Sequence, residues 1–471
     1  MDERKTGTPS MGVIFCALFL TATFQVCFSA AKQLQSNMTR QTQSPNRFGS
    51  SLVFPVQGDV YPNGFFYATI YIGNPPKPYY LDIDTGSDLT WVQCAAAPGA
   101  KLLKSPNKPY KPNNNALLCK DPLCPFVDQP TCKAPNDQCD YEVEYADSGS
   151  SLGVLVRDSF ALKLTNGSAY KPSMAFGCGY DQEFSGPFPP PYVDGVLGLA
   201  KGKSNVVSQL RSFGLVRNVI GHCFSGQGKG YLSFGDDLLP SGLVWAPMLP
   251  NSLNHYVVGP VDLLFGQKAS GAKGLSVIFD SGSTYTYLNP QAYQATLSLI
   301  KTALLGKQLS AVKDGNLPVC WKGSKPFQSI DAVKNYFSPL VLSFKNAKNV
   351  GFVIPPEAYL LVTVRRFWRG NGNMKGNVNE IQAIFLPHSF LSPNLSSNPR
   401  SKTQPKDDTK QAVPVQSKGN VCLGILNGAD AKLGNSNIIG DISFQDKLVV
   451  YDNERQMIGW TPSNCNKLPK P

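Results

Sequence analysis

Histidine is scarce in this chain of 471 residues. Only His222, His255 and His388 occur, too dispersed for a histidine-rich zinc site. No C-x-x-C pair is present, which removes the common zinc-knuckle and dithiol-redox motifs. Charge is sparse at 16%, and with 42% hydrophobic side chains the chain reads as globular, not as a disordered or heptad polymer. No apolar run long enough to span a bilayer follows the first 31 residues, and the C-terminal SNCNKLPKP lacks the apolar tail of a lipid-anchor signal. Neither a metal nor a cofactor is expected. Glycine and proline, in contrast, are plentiful at 42 and 38 residues, a turn-rich balance that favours short strands and argues against an all-helical fold.

The N-terminus has the layout of a secretory signal. Arg4 and Lys5 precede an uncharged stretch from Met11 to Ser29, and small residues at Ser29 and Ala31 suit cleavage after Ala31. An uncleaved signal anchor is the alternative. Cys16 and Cys27 fall within this segment, leaving ten cysteines, an even number that reads as disulfides in a secreted chain. The cluster Cys119, Cys124, Cys132 and Cys139 lacks zinc-ligand spacing and is assigned to disulfides as well. The net charge of +12 raises nucleic acid as a partner, but its distribution argues against one. Residues 32–50 contribute +3 and residues 364–416 contribute +5, so the rest of the body carries an ordinary +4.

Short β-rich runs appear at 65–73, 78–86 and 151–162. Two helices are signalled, one capped by Ser204 and closed by Gly214, the other opened by Asn289-Pro290 and closed by Gly306. An internal repeat carries the most information. YLDIDTGSDLTW at 80–91 matches SVIFDSGSTYTY at 276–287, and each is followed by two aliphatic residues and a glycine, Val196-Leu197-Gly198 and Ile438-Ile439-Gly440. The second half is longer by about the length of 364–416, a basic tract with neither strand alternation nor a helical face. That tract is expected to be an exposed, poorly ordered insertion, and its Val start and Gln end suit the boundaries of a translated intron.

An Asp-Thr/Ser-Gly-Ser loop after a strand can fix a carboxylate, because glycine permits close backbone approach and the hydroxyls can donate to the carboxylate oxygens. Two copies in equivalent halves would bring Asp84 and Asp280 together about a pseudo-twofold axis. Adjacent carboxylates cannot both ionise cheaply, so the pair holds one proton and serves as acid and base at once. Such a pair can activate water against a peptide carbonyl without a metal or a covalent intermediate.

These motifs resemble the pepsin family, over nearly the whole chain after residue 50, and the phrases YPNGFFYATIYIGNPPKPYYLDIDTGSDLTWVQC and NIIGDISFQDKLVVYDNERQMIGW are similar to its plant nucellin-like branch. The resemblance implies an all-β, bilobal fold with the active-site cleft between lobes. It makes Asp84 and Asp280 catalytic, with Thr85, Gly86, Ser87, Ser281, Gly282 and Ser283 in support, and pairs a flap tyrosine, Tyr145, with Trp91. It also implies a disulfide between Cys320 and Cys422 and leaves the other eight cysteines unassigned. Residues 1–31 would be the signal, 32–50 a short propeptide, 51–238 the N-terminal lobe and 239–471 the C-terminal lobe. The run after Trp91-Val92-Gln93-Cys94 lacks cysteines usual in that branch, which puts one family disulfide in doubt.

The implied activity is an endopeptidase with an acidic optimum, a monomer acting on proteins or peptides, with no nucleic-acid and no stable membrane partner, in the apoplast or vacuole. The alternative is a pepsin-fold binding protein or glycosidase inhibitor, disfavoured because both loops are intact. Asp82 lies two residues before Asp84, on the same strand face, where many pepsin relatives have an aliphatic residue lining the S1 pocket; a carboxylate there would attract basic side chains or be satisfied by its neighbours. Asn166-Gly167-Ser168 is a candidate glycosylation site, and similar sequons begin at Asn37 and Asn394. His222 and His255 are expected to be structural.

Overall fold

The computed structural model describes residues 50–469 except 96–101, 128–129, 147, 185–189, 252, 315–316, 346–349 and 368–414. The expected signal, the propeptide up to residue 49, Asn37, His388, Asn394 and most of the basic insertion therefore lie outside the described residues.

The fold is mostly β and is built from two similar halves. Strand Lys77–Asp84 shows how the sequence sets it up: Tyr79, Leu81 and Ile83 are buried in the core, while Tyr80 and Asp82 alternate to a less buried face. This strand lies in a 13-stranded sheet. Gly195–Gly198 runs parallel to it, with Gly198 opposite Asp84, and then pairs with Trp91–Gln93. The other half repeats the device in an eight-stranded sheet, where Ile438–Ile439 runs parallel to Leu275–Phe279 and antiparallel to Thr286–Leu288. In each half a sharp loop between two strands is thus supported from behind by an aliphatic pair, and each loop begins at an aspartate.

The halves are joined by more than a linker. Lys447–Asp452 and Met457–Pro462 come late in the chain, yet Lys447–Asp452 pairs with Val219–Phe224 and so completes the large sheet. Cys223–Cys465 closes the same junction across 242 residues of sequence. The remaining disulfides are Cys94–Cys178, Cys119–Cys132, Cys124–Cys139 and Cys320–Cys422. Cys320 and Cys422 face each other on neighbouring strands. All ten body cysteines are paired. The sulfurs of Cys119, Cys124 and Cys132 lie within 4.8 Å of one another, but as half-cystines they offer no thiolate to a metal.

Two local expectations are corrected. The first helix, Val206–Ser212, is capped by Asn205, whose side chain accepts from the Ser208 amide, while the Ser204 hydroxyl turns to Asp88. The second, Pro290–Ala303, is capped by Asn289 as expected. The basic insertion is also shorter than 364–416, because strands Leu360–Phe367 and Val415–Leu423 run past both of its expected ends, pairing Val364 with Lys418 and Phe367 with Val415.

Candidate active site

The two Asp-Gly loops interlock at their second residues. The Thr85 amide donates to Ser281 Oγ at 3.1 Å, and the Ser281 amide donates to Thr85 Oγ1 at 2.9 Å. Each hydroxyl in turn donates across the junction to a strand carbonyl, Thr85 to Phe279 at 3.1 Å and Ser281 to Ile83 at 2.7 Å. Thr85 and Ser281 are buried, so these four bonds have no water to replace them. They hold the loops in register about the pseudo-twofold axis.

Within each loop the carboxylate is fixed by its own backbone. Asp84 Oδ1 accepts from the amides of Gly86 at 2.7 Å and Ser87 at 3.3 Å, and Oδ2 accepts from the Ser87 hydroxyl. Asp280 repeats the pattern, taking the Gly282 amide at 2.9 Å and the Ser283 hydroxyl at 2.8 Å. The glycines provide proximity. A β-carbon on Gly86 would lie 2.5 Å from Asp280 Oδ1, and one on Gly282 would lie 2.4 Å from Asp84 Oδ1. Each loop therefore passes directly against the other loop's carboxylate.

Burial pushes the Asp84 carboxyl up to about 7, and the nearby Asp280 charge adds to it, against the hydrogen bonds from Ser87 and Gly86. Asp280 is also raised by burial, opposed by hydrogen bonds from Ser283, Gly282 and Asp84 itself. The pair retains a proton in acid and mildly acidic solution, with a hydrogen bond between its members.

Tyr145 stands over this pair at the turn that follows strand Asp140–Glu144. Trp91 Nε1 donates to its hydroxyl at 2.7 Å, and Ser87 hydrogen-bonds to the same phenol. A chain of contacts thus runs from Trp91 through Tyr145 and Ser87 to Asp84. Asp82 sits on the strand face that leads to Asp84, opposite Tyr67 on one neighbouring strand and Val196 on the other.

Three other predicted positions fall elsewhere. Asn166 is exposed in a tight turn, with its side chain accepting from the Ser168 amide. His222 is fully buried, stacks on Phe224 and bonds Tyr451 at 3.0 Å, and burial lowers its pKa to about 3. His255 is also lowered by burial. Gly149-Ser150-Ser151-Leu152-Gly153 spells a hydrolase-like G-x-S-x-G, but Ser151 is buried within strand Gly149–Ser159, 3.2 Å from the Tyr141 hydroxyl, and no strand-to-helix turn presents it.

Sequence reasoning missed Asp441. It follows Gly440, is 1% exposed, and neither of its carboxyl oxygens has a hydrogen-bond partner among the described residues. Burial raises its pKa well above the usual range, with Asp82, Asp280 and Asp84 adding in that order. The available signal was an acid directly after an aliphatic-aliphatic-glycine run, where the first half has Leu199.

An aspartic proteinase of rice (Oryza sativa subsp. indica) is 38% identical over 437 residues, covering 89% of this chain and 93% of its own length. The chain belongs to the pepsin family of aspartic proteinases. Aspartic proteinase 36 of Arabidopsis thaliana is 24% identical over 93% of this chain and 82% of its own. A family profile described as "Xylanase inhibitor N-terminal" matches residues 66–236. Among solved structures, the aspartic proteinase from Irpex lacteus superposes with a TM-score of 0.54 at 16% identity, covering 89% of this chain and all of its own. The basic 7S globulin of soybean gives 0.60 at 17%, covering 88% of this chain and 96% of its own. At these identities the structural likenesses speak for the pepsin fold alone.

Proposed function

We propose that this member of the pepsin family is an aspartic endopeptidase in which Asp84 and Asp280 activate a water molecule against a peptide carbonyl. The observation that carries this reading is the reciprocal locking of two Asp-Thr/Ser-Gly-Ser loops, which sets two carboxyls in hydrogen-bond contact. The ionised member takes a proton from water as the water oxygen attacks the carbonyl carbon. The protonated member donates to the carbonyl oxygen, giving a tetrahedral diol. Return of a proton to the amide nitrogen lets the carbon–nitrogen bond break. Tyr145, held by Trp91, closes the cleft over the substrate, and no cofactor is needed.

The second reading, a binding protein or glycosidase inhibitor on the same fold, is favoured by the xylanase-inhibitor profile over residues 66–236. One assay separates the two. The endopeptidase should cleave an unfolded protein near pH 4, be blocked by pepstatin, and lose more than about a thousandfold in turnover in either Asp84→Asn or Asp280→Asn. Near-normal turnover in either variant would refute the paired-carboxyl mechanism, and a wild-type protein inert on all unfolded substrates would favour the binding protein. The paired cysteines and the N-terminal sequence support passage through the secretory route, and Asn166 is available there for glycosylation. No helix among the described residues is long and apolar enough to cross a membrane.

A further inference from the structure

The two halves match closely around the paired carboxyls, and the places where the match fails are informative. Asp84 corresponds to Asp280, and Thr85 to Ser281. Gly198 corresponds to Gly440, since a β-carbon on Gly198 would strike the Leu89 carbonyl at 2.5 Å and one on Gly440 the equivalent Tyr285 carbonyl at 2.3 Å. Within this frame Asp82 occupies the position of Ile278, and Asp441 that of Leu199. Each half thus places an acid where the other has an aliphatic side chain.

Both acids belong to the same neighbourhood. Asp82 faces the side of its strand that carries Asp84, about 7 Å along the chain, and it is partly buried, with Oδ1 shielded from solvent and Oδ2 the oxygen that would meet a ligand. Its cross-strand neighbours Val196 and Tyr67 are partly buried too, and Val196, like Tyr145, packs against the buried cluster that contains Trp91. Asp82 therefore lies on the cleft side, next to the residues that close over the carboxyl pair. Asp441 is close by, buried and without a hydrogen-bond partner among the described residues, with Asp82 as the foremost of the charges that act on it. The hairpin bearing Tyr145 adds to the field. Residues 134–156 hold five acids and no lysine or arginine, in a chain whose net charge is +12, and Glu142 and Glu144 are exposed.

We propose that Asp82 makes the subsite beside the paired carboxyls anionic, so that this protein selects peptides with lysine or arginine next to the scissile bond. A peptide carbonyl on the carboxyl pair brings the adjoining side chain over the neighbouring stretch of strand. A long cationic side chain there reaches the Asp82 carboxylate and pairs with it. An aliphatic side chain at the same place offers Asp82 no counter-charge. The acidic hairpin draws cationic segments toward the cleft before they bind.

This inference rests on the endopeptidase reading, and two measurements separate their failures. Cleavage-site profiling of a peptide library at pH 4.5 should show Lys or Arg favoured over Leu at one residue flanking the bond by about tenfold, the scale of one charge-assisted hydrogen bond. Asp82→Asn should bring that ratio to about one, and Asp82→Glu should keep the preference. In parallel, two peptides carrying a non-cleavable hydroxyl isostere, one with a lysine side chain and one with a leucine side chain beside it, should bind wild-type protein with the same ordering. A protein that cleaves nothing but binds the lysine isostere more tightly keeps the anionic subsite and loses the endopeptidase. Equal affinity for the two isosteres, no basic preference in the library, or a ratio unchanged in Asp82→Asn overturns the proposal. If Asp82→Asn fails to fold, the wild-type ratios and Asp82→Glu still decide.

Discussion

At the scale of single residues, the geometry around Asp84 and Asp280 depends on atoms that are absent as much as on those present. Gly86 and Gly282 do not adopt a left-handed backbone; what they supply is room. A methyl group at 282 would meet Asp84 Oδ1 at 2.4 Å and Asp280 Oδ1 at 3.3 Å, and neither carboxylate can retreat without losing its amide donors. Gly282→Ala should therefore lower kcat/KM by about a hundredfold, the usual effect of a displacement near 1 Å at reacting groups, with the circular dichroism spectrum unchanged. Activity within threefold of wild type would show that the loops yield. Thr85 tests the lock itself. Thr85→Val keeps the volume but leaves the buried Ser281 amide without its acceptor, at a cost of about 1–3 kcal/mol in urea unfolding, whereas Thr85→Ser should restore most of it. A loss below about 0.5 kcal/mol would mean that the four cross-loop bonds add little to stability.

At the scale of elements, what the sequence revealed and what it hid have separate physical causes. The repeat was legible because a carboxylate that must be held by backbone amides and hydroxyls requires a particular run of residues, and that run appears twice. The helix at Pro290–Ala303 was legible through Asn289 and Pro290, which act locally. Ser204 and Asn205 are both good caps, and the choice between them was made by Asp88, a residue 116 positions away. Most disulfide pairings were illegible for the same reason, since spacing along the chain says little about sulfur positions in space. Asp441 was passed over because two of the three charges that act on it, Asp82 and Asp84, come from the other half of the chain. The ends of the basic insertion were misread because Val364–Phe367 looks polar and irregular in sequence, yet a strand's backbone pairs whatever its side chains. That last point yields a prediction. Phe367 and Val415 are cross-strand partners, so a two-residue Asn-Gly turn can join them in place of residues 368–414. The shortened protein should fold with the Cys320–Cys422 bridge intact by peptide mapping and retain the proposed hydrolytic activity. Loss of the bridge or of folding would assign the insertion a structural role.

At the scale of the whole molecule, buried ionisable groups set the pH range in which the fold is stable. Asp84, Asp280 and Asp441 all have folded pKa values above the ordinary carboxylate value near 3.9. Between that value and their folded ones, the folded protein holds more protons than the unfolded chain, so stability falls as pH rises. Their contribution is complete below about pH 4 and is lost as pH rises through the folded values, about 7 for Asp84 and raised for Asp280 and Asp441. His222 acts in the opposite direction: its pKa is lowered to about 3 by burial, so its contribution is present above about 6.5 and is lost as pH falls toward 3. Three carboxyls oppose one imidazole, and each tenfold difference in proton affinity is worth about 1.4 kcal/mol. Tm should therefore be highest near pH 4–5 and decline steadily toward pH 7.5. Asp441→Asn, which keeps the shape but cannot ionise, should flatten the decline, while His222→Gln should lessen the loss of stability below pH 4. Thermal unfolding followed by circular dichroism from pH 3 to 8 measures all three proteins. A wild-type Tm that rises between pH 4.5 and 7, or an Asp441→Asn profile that parallels wild type, would show that other groups govern the pH range of the fold.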